Sequence, residues 1–471
     1  MMVGRTEEIT IMKQLLTSKE AELLAIVGRR RVGKTFLIRE VYKENIVFEF
    51  VGIQNGSRKE QLNNFLFELK NTFGKENIPT LVDNWLEAFQ ALITSLSNIL
   101  PQKKQVIFID ELPWIAGPKS DFLKAFGYFW NSWASKNNVV VAVCGSATSW
   151  MLKNLVQDKG GLHNRVTRTL YLLPFTCRET HLFLKERGIK FNEQQVTELY
   201  MALGGIPYYL KLVGKGMSVP QVLDKLCFED KAPLKQEFQS LYAALFTNAD
   251  KYIAVIKACY SQWKGVTQNE IVKLSGIPSG GTLTQIVDDL EVSGFLTSTM
   301  PFGNIKKEKR YRLSDEFSVF YLKFMENKKN TNFNLINQSQ AFKAWQGYSF
   351  ENFCFKHIHK IKQKLGISGI ISNQYAYAIK GNGDFEGSQI DLIIDRNDQC
   401  INICEVKYLD KPLVINKQYG RQLQLRLENF KWQTGTKKTL FLTLITKSGI
   451  QTNHYEGHLV DSEVVLSDFY R

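Results

Sequence analysis

The apolar and polar positions divide the first third of the chain into short buried strands separated by helices. Largely apolar runs of five or six residues are too short for helices and are typical of strands covered on both faces of a sheet. Such runs occur at Leu23–Val27, Ile46–Val51, Gln105–Asp110 and Val139–Cys144. Because strands that alternate with helical segments form parallel sheets, the pattern predicts an α/β domain over residues 1–172.

The pattern becomes helical in the middle of the chain. Residues 173–245 predict a bundle of helices, in which Gly204 and Gly205 end one helix and Pro207 opens the next. Residues 246–318 predict three helices followed by a two-stranded hairpin, which is the outline of a winged helix.

A polar, asparagine-rich stretch separates the last predicted domain from the rest. Residues 319–342 predict a linker, and residues 343–471 predict a second α/β domain that begins with a helix. Inside it, an apolar strand containing Asp391 is followed after a short turn by Cys400–Lys407, which predicts a strand hairpin.

Composition limits the functional classes. The 471 residues suggest about three domains. The seven cysteines form no C-x-x-C pair, which predicts a reducing compartment and no zinc site. The sequence predicts neither a signal peptide nor a membrane helix, so a cytoplasmic protein without a membrane partner is expected. The net charge of +14 suits a polyanion such as DNA, although the excess is spread along the chain.

The segment between the first strand and the next helix has the spacing of a phosphate-binding loop. It fits G-x-x-x-x-G-K-[ST] at every fixed position. Glycines let backbone N–H groups surround a polyphosphate, and the following helix directs its positive dipole end at the same anion. Lys34 is expected at the β and γ phosphates of ATP, and the Thr35 hydroxyl at Mg²⁺. The residues predicted to bind nucleotide here are Gly28, Arg29, Arg30, Arg31, Val32, Gly33, Lys34 and Thr35.

Further residues of an ATPase site follow two of the predicted strands. Asp110 fits a Mg²⁺-associated carboxylate, and Glu111 fits the base that orients the attacking water. Ser146 can contact the γ-phosphate or that water, or it belongs to an ordinary turn. Arg165 and Arg168 are both candidates for an arginine that stabilises γ-phosphoryl charge, and a solvated surface arginine is the alternative for each.

The order of these motifs resembles the archaeal-type ATPase family of the STAND/AAA+ NTPases. The resemblance implies that Gly4 and Arg5 lie near the adenine, that Pro207 belongs to a helical lid beside the nucleotide, and that the protein can form a homo-oligomer. The matching segments are Gly4-Arg5, Gly28–Thr35, Asp110-Glu111, Gly145-Ser146, Pro174-Phe175 and Gly204–Pro207.

The C-terminal domain resembles the PD-(D/E)XK nucleases. Side chains alternate along a strand, so Glu405 and Lys407 project from one face together. With Asp391 on the preceding strand and Glu351 on the opening helix, they match the nuclease pattern. The resemblance implies that Glu351, Asp391 and Glu405 hold Mg²⁺ and that Lys407 assists the chemistry, with an inactive nuclease fold as the alternative. Gln422 or Gln424 can extend the site.

Two functions therefore follow from the sequence. The first is an ATP-driven enzyme that acts on DNA, and the second is a STAND-type regulatory switch whose C-terminal domain binds without cutting. Basic residues of the predicted wing favour DNA contact, whereas the acids of the third predicted helix favour a protein-facing surface. The basic residues are Lys306, Lys307, Lys309, Arg310 and Arg312.

Overall fold

The computed structural model describes nine segments of the chain. They are residues 2–76, 78–97, 103–117, 120–157, 160–303, 309–326, 332–379, 388–451 and 459–471. The chain divides into two compact units, Met1–Pro174 and Phe175–Arg471. The boundary between the units lies two residues beyond residue 172, the predicted end of the first domain. The finer division of the second unit into lid, winged helix and C-terminal domain stays a prediction.

The first unit contains the expected parallel α/β sheet. Its strands lie in the order β2-β3-β4-β1-β5, and every neighbouring pair is parallel. The strands are β1 (Glu22–Val27), β2 (Ile46–Val51), β3 (Gln105–Asp110), β4 (Val139–Gly145) and β5 (Arg168–Tyr171). The helices are α1 (Thr6–Thr17), α2 (Lys34–Tyr42), α3 (Arg58–Phe73), α4 (Trp85–Ser97), α5 (Leu112–Ile115), α6 (Phe122–Ser132) and α7 (Thr148–Met151). Parallel order places the carboxyl ends of β1, β3 and β4 side by side.

An aromatic layer anchors this sheet. Helices α3, α4 and α6 bury their apolar residues against one face, where Phe65 packs edge-on against Phe50 and Phe89 stacks on Phe129. Burial of each such ring contributes roughly 2 to 3 kcal/mol, which is enough to hold the strand ends in fixed positions.

The second unit is mainly helical at its start. Its helices are α8 (Cys177–Glu186), α9 (Glu193–Leu203), α10 (Pro207–Lys211), α11 (Val219–Leu223), α12 (Glu237–Leu245), α13 (Ala249–Tyr260), α14 (Gln268–Ser275), α15 (Gly281–Val292), α16 (Glu316–Phe324), α17 (Phe333–Asn337), α18 (Gln340–Lys356), α19 (Ile358–Lys364) and α20 (Lys417–Thr434). Short 3₁₀ or π-helical turns occupy Ala134–Lys136 and Leu152–Val156 in the first unit and Asp224–Phe228 and Leu466–Phe469 in the second.

Helices α13 to α15 accompany a small antiparallel sheet of order β6-β8-β7. These strands are β6 (Val266–Thr267), β7 (Leu296–Thr299) and β8 (Arg310–Leu313). The predicted linker, residues 319–342, differs from expectation because it begins inside α16 and includes α17, whose Phe333 is fully buried.

The C-terminal sheet is mixed. Its order is β15-β13-β11-β10-β9, in which β10 is antiparallel to both neighbours and β11, β13 and β15 run parallel. These strands are β9 (Ser372–Ile379), β10 (Ser388–Arg396), β11 (Cys400–Lys407), β13 (Thr439–Thr446) and β15 (Ser462–Val465), with a separate pair β12 (Leu413–Val414) and β14 (Ile450–Gln451). Helix α20 connects the parallel strands β11 and β13.

Candidate nucleotide site and a second carboxylate cluster

The loop between β1 and α2 has the geometry that its sequence predicts. A Cβ atom on Gly28 would lie 2.4 Å from the backbone oxygen of Leu172, so any other residue would displace the neighbouring chain. Gly33 precedes α2 in the left-handed region, with φ 94°. The first amides of α2 have no partner within the helix, because a helix leaves its first turn of N–H groups unpaired. Together these features form an anion-binding helix N-terminus.

Lys34 is the central cation of this loop. Its ammonium donates to the carbonyl oxygens of Gly28 at 2.7 Å and Arg29 at 3.1 Å, and the residue is buried. Burial lowers the pKa of Lys34, while the nearby acids Asp110 and Glu111 oppose the shift. The side chain thus lies across the loop where outer phosphates of a nucleotide would bind.

Asp110, the last residue of β3, contacts residues of α2 and β4. Its carboxylate accepts a hydrogen bond from the Thr35 hydroxyl at 2.6 Å and another from the Cys144 thiol at 2.7 Å. Burial, followed by the charge of Asp110, raises the pKa of Cys144 well above its usual value, so the thiol stays protonated and donates. Hydroxyl and carboxylate oxygens are the donors that Mg²⁺ prefers, and the Thr35–Asp110 pair therefore fits a nucleotide-bound Mg²⁺.

Glu111 is held by Ser146. The carboxylate accepts from the Ser146 backbone N–H at 3.0 Å and from its hydroxyl at 2.9 Å. Glu111 itself lies in the left-handed region with φ 50°, a conformation that costs a non-glycine residue about 1 kcal/mol. The structure therefore brings the predicted base and the predicted polar residue of β4 together at one sheet edge.

Arg5 has a more structural environment than the resemblance implied. Its guanidinium donates to the backbone oxygens of Leu173 at 2.6 Å and Val32 at 3.4 Å, and it pairs with Glu8 at 3.5 Å. Arg5 therefore fastens the phosphate loop to the segment after β5, and Gly4 precedes it with φ 69°.

The remaining predicted nucleotide residues have less defined roles. Of the loop arginines, Arg29 is buried while Arg30 and Arg31 are half-buried. Arg165 and Arg168 are exposed, and Arg168 begins β5. Pro207 is the first residue of α10 in the second unit. Contact of these residues with nucleotide stays a prediction.

A second cluster of acids lies in the C-terminal sheet. Glu405 and Lys407, on the same face of β11, form an ion pair of 2.8 Å. Asp391 lies where the β10–β9 register shifts, and its carboxylate accepts the backbone N–H of Val406 at 2.9 Å. Glu351, on α18, accepts from the Trp263 indole N–H at 3.2 Å. The predicted nuclease residues thus surround one end of the β10–β11 hairpin.

Burial and mutual repulsion change the titration of these acids. Burial, followed by the charge of Asp391, raises the pKa of Glu351 to about 7. Burial and then Glu405 raise the pKa of Asp391. For Glu405 burial acts in the same direction, but the cations Lys407 and Arg426 outweigh it and lower the pKa. For Glu351 and Asp391 the nearby positive charge does not offset the effect of burial on the pKa, whereas for Glu405 it does.

The cluster is not a ready metal site. In the parts of the chain that the structure describes, no group of three or more His, Cys, Asp or Glu side chains is arranged to hold a metal ion. The neighbouring carboxylates of Asp391 and Glu405 supply hard oxygen ligands, and Mg²⁺ commonly binds through one or two carboxylates with water completing its shell. The pair therefore fits a hard divalent cation, and a ligand role for Glu351 stays a prediction.

Sequence reasoning missed the residues of α20 that reach the cluster. Gln422 and Gln424 are exposed. Instead, the Tyr419 hydroxyl donates to Glu405 at 3.2 Å and the Arg426 guanidinium donates to its other oxygen. Their seven-residue spacing, two helical turns, places both on one face of α20 and was the available signal.

The wing residues also require a correction. Arg312, expected on a DNA-facing wing, is only 8% exposed. It donates to Asn352 at 3.3 Å and lies over the rings of Phe355 and Trp263. Burial lowers its pKa to about 10. Lys309 pairs with Glu291 at 3.0 Å, and Lys306 and Lys307 lie outside the described residues.

Comparison with known proteins shows similarity to ATPases over the part of the chain that contains the first site. Residues 2–213 match the model of a family described as an ATPase domain predominantly from Archaea. An uncharacterized protein of Methanocaldococcus jannaschii is 23% identical over 416 residues, which cover 87% of this chain and 88% of that protein. These matches support nucleotide-dependent ATPase chemistry at the loop.

A solved structure with a similar fold covers most of this chain. A Walker-type ATPase of Pyrococcus abyssi has a TM-score of 0.51 at 16% identity, covering 69% of this chain and 96% of its own. An ORC2 protein of Aeropyrum pernix, solved with ADPNP and ADP, covers 74% of this chain and 94% of its own at 12% identity, and its TM-score of 0.46 is too low to carry an argument. Within the described residues, no helix is long and apolar enough to span a bilayer.

Proposed function

We propose that this chain, which contains an archaeal-type ATPase domain, hydrolyses ATP and acts on DNA through its C-terminal domain. The observation that carries the ATPase half is the contact of Thr35 with Asp110 beside Lys34, at the edge where Ser146 also holds Glu111. Lys34 binds the outer phosphates, and Thr35 and Asp110 hold Mg²⁺, which neutralises phosphate charge when bound. Glu111 orients the attacking water and accepts its proton.

Ser146 orients Glu111. Both of its donors bind one carboxylate oxygen, Oε2, which leaves Oε1 of Glu111 to accept a proton from the attacking water. Because a γ-phosphate is a second charged acceptor at this edge, the Ser146 hydroxyl can turn to it while the backbone N–H keeps Glu111 in place.

The DNA-acting half rests on the β10–β11 hairpin. Asp391 and Glu405 are the proposed ligands of a divalent cation, which supplies a polarised phosphate and an activated water. Lys407 is placed beside them to stabilise charge on the attacked phosphate. We propose that helices α13 to α15 with the β6-β8-β7 sheet are a winged helix, whose exposed face and Lys306 and Lys307 contact the phosphate backbone.

A second function, a STAND-type switch whose C-terminal domain binds without cutting, has one specific observation in its favour. Glu405 is already neutralised by Lys407 and Arg426, which leaves less charge for a metal. Cleavage separates the two functions, because only the first requires a working metal site.

The deciding experiment offers linear, branched and single-stranded DNA to the purified protein, with Mg²⁺ or Mn²⁺ and with or without ATP. We expect cleavage that Asp391→Ala and Glu405→Ala abolish and that Lys407→Ala slows, while ATP hydrolysis continues in all three variants. A wild type that cuts none of these substrates, or a Glu405→Ala variant that cuts normally, removes the nuclease function and leaves the switch.

The DNA surface is tested by salt dependence. Each phosphate contact contributes roughly 0.9 to the slope of log affinity against log salt. Lys306→Gln with Lys307→Gln should therefore flatten the slope by up to about 2, whereas Lys309→Gln should add little because Glu291 already pairs with Lys309. An unchanged slope in the double variant places the DNA surface elsewhere.

A further inference from the structure

Both oxygens of Glu405 are in use. One accepts from Lys407 at 2.8 Å and from the Tyr419 hydroxyl at 3.2 Å, and the other accepts from Arg426. Glu405 is only 4% exposed, so water does not replace these donors. A divalent cation that binds this carboxylate must therefore compete with a resident positive charge.

Of the two cations that bind Glu405, Arg426 is the better suited to bind another anion instead. Lys407 lies two residues from Glu405 on the same strand, whereas Arg426 reaches Glu405 from a separate element, α20; the two side chains are similarly exposed, at 35% and 32%. The difference lies in the guanidinium, which has a planar fork of donors that matches a phosphate as well as a carboxylate. A phosphate can therefore take the place of Glu405 as the acceptor of Arg426.

Helix α20 offers a surface that attracts such a phosphate. Its charged residues are Lys417, Arg421, Arg426, Glu428 and Lys431, four cations against one acid. Lys417 and Arg421 are exposed on the same helix. A polyanion that approaches α20 therefore meets positive charge before it reaches the acids of β10 and β11.

We propose that Arg426 is a resident counter-ion of Glu405 that transfers to a phosphodiester when a polynucleotide binds, so that polynucleotide binding raises the affinity of Asp391 and Glu405 for a divalent cation. This inference rests on the proposed DNA-acting function. By linkage, the divalent cation must raise the affinity for polynucleotide by the same factor. Arg426 is a positioning residue in this scheme, since it acts through Glu405.

Binding of Mn²⁺, followed by electron paramagnetic resonance, tests the competition directly. Arg426→Gln should bind Mn²⁺ about fivefold or more tighter than the wild type, because the competing charge is gone. Arg421→Gln, which removes an exposed charge from the same helix, should match the wild type. Equal or weaker Mn²⁺ binding in Arg426→Gln, or an equal gain in Arg421→Gln, overturns the proposal.

Coupling to a short DNA duplex tests the transfer. The measurement is made at a temperature at which gel electrophoresis shows that the duplex stays intact. The duplex should tighten Mn²⁺ binding to the wild type by about fivefold or more. This gain should disappear in Arg426→Gln. Arg426→Lys should still compete with Mn²⁺ but show a smaller gain, because an ammonium lacks the bidentate fork. A gain that persists in Arg426→Gln contradicts the transfer.

Failure of the inference and failure of the nuclease function give different results. If Asp391→Ala binds Mn²⁺ as the wild type and Arg426→Gln do, the metal site is absent and both proposals fall. If Arg426→Gln gains a Mn²⁺ site that Asp391→Ala removes, yet no variant cuts DNA, the counter-ion role stands and the nuclease function fails. Thermal melting of each variant confirms that it is folded.

Discussion

The two acid clusters of this protein are held by opposite kinds of partner. In the ATPase unit, Asp110 and Glu111 receive hydrogen bonds from neutral groups, the Thr35 hydroxyl, the Cys144 thiol and the Ser146 N–H and hydroxyl. In the C-terminal sheet, Glu405 is bound by two cations. Neutral donors orient a carboxylate without cancelling its charge, whereas cations do both.

Under the proposed function, this difference distinguishes a site that can accept a metal directly from one that must first give up a counter-ion. Under the proposed function, Mg²⁺ would reach the first site with its nucleotide and meet an Asp110 that accepts hydrogen bonds from neutral groups, while the nearby Lys34 ammonium binds backbone carbonyls. At the second site the incoming cation meets positive charge already in place.

Nucleotide binding at the first site should depend on the ammonium of Lys34. Lys34→Ala removes the ammonium expected at the outer phosphates and should weaken ATP binding by about 100-fold or more, since two charge-assisted hydrogen bonds are lost. Titration of a fluorescent ATP analogue measures this, with Asp391→Ala as the matched control of unchanged affinity. Normal affinity in Lys34→Ala would contradict the assignment of the loop.

Replacement of Glu111 at the same site should leave ATP binding unchanged. Glu111→Gln keeps the Thr35–Asp110 pair and an acceptor for Ser146 but cannot take a proton from water. ATP should bind normally and turn over about 100-fold or more slowly. Steady-state hydrolysis combined with the same titration tests this, and wild-type turnover would require another base.

His357 should make the stability of the second unit sensitive to acid, because this histidine is buried and neutral. The Nδ1–H of His357 donates to the Phe353 oxygen at 2.9 Å, and Nε2 accepts the Cys177 N–H at 3.1 Å. Burial lowers the pKa of His357 to about 3. Since the folded pKa is depressed, its contribution is present above the unfolded value near 6.5 and is lost as the pH falls toward 3.

Calorimetry at several pH values measures this loss. Between pH 7.5 and 5, protonation of His357 in the unfolded chain should lower the stability of the wild-type second unit by about 2 kcal/mol relative to that of His357→Gln. The comparison with His357→Gln is needed because Glu351, whose pKa is raised to about 7, favours the folded state as the pH falls through the same range. ATP should raise only the transition of the first unit and so identifies it. If the stabilities of the wild type and His357→Gln change in parallel over this range, His357 does not contribute to the pH dependence.

The smallest effect concerns a neutral donor of the first site. Cys144→Ala removes one of the hydrogen bonds to Asp110 and should raise the Mg²⁺ concentration needed for ATP hydrolysis about fivefold, in keeping with about 1 kcal/mol for one hydrogen bond. Cys144→Ser retains a donor and should restore the wild-type requirement. Equal Mg²⁺ dependence in Cys144→Ala would show that the Thr35 hydroxyl and the Glu111 backbone N–H are sufficient to orient Asp110.

The sequence predicted the parts of each site that are close together in the chain. The phosphate loop and the Glu405–Lys407 pair are local patterns, in which spacing fixes geometry, and the strand ends of a parallel sheet bring Asp110 and Ser146 to the same edge. The missed partners are contacts between distant residues. Cys144 lies 34 residues from Asp110, Arg426 lies 21 from Glu405, and Trp263 lies 88 from Glu351.

Such partners have no spacing rule, because tertiary packing decides which side chains meet. The error at Arg312 has the same origin. Its position in a run of basic residues indicated a surface, but packing of β8 against α18 placed it inside. Basic residues counted along the sequence therefore indicate a binding partner only where the fold leaves their side chains on the surface.

The buried Arg312 also bears on how this protein could be recombined. One side of its environment is Trp263, which follows α13, and the other is Asn352 and Phe355, on α18. Asn352 in turn donates to the Ser314 oxygen at 2.9 Å. A genetic exchange that joined the C-terminal sheet to a different set of helices would remove side chains that contact the buried guanidinium of Arg312. The helices around β8 and the C-terminal sheet are therefore expected to be inherited together, as one module rather than two.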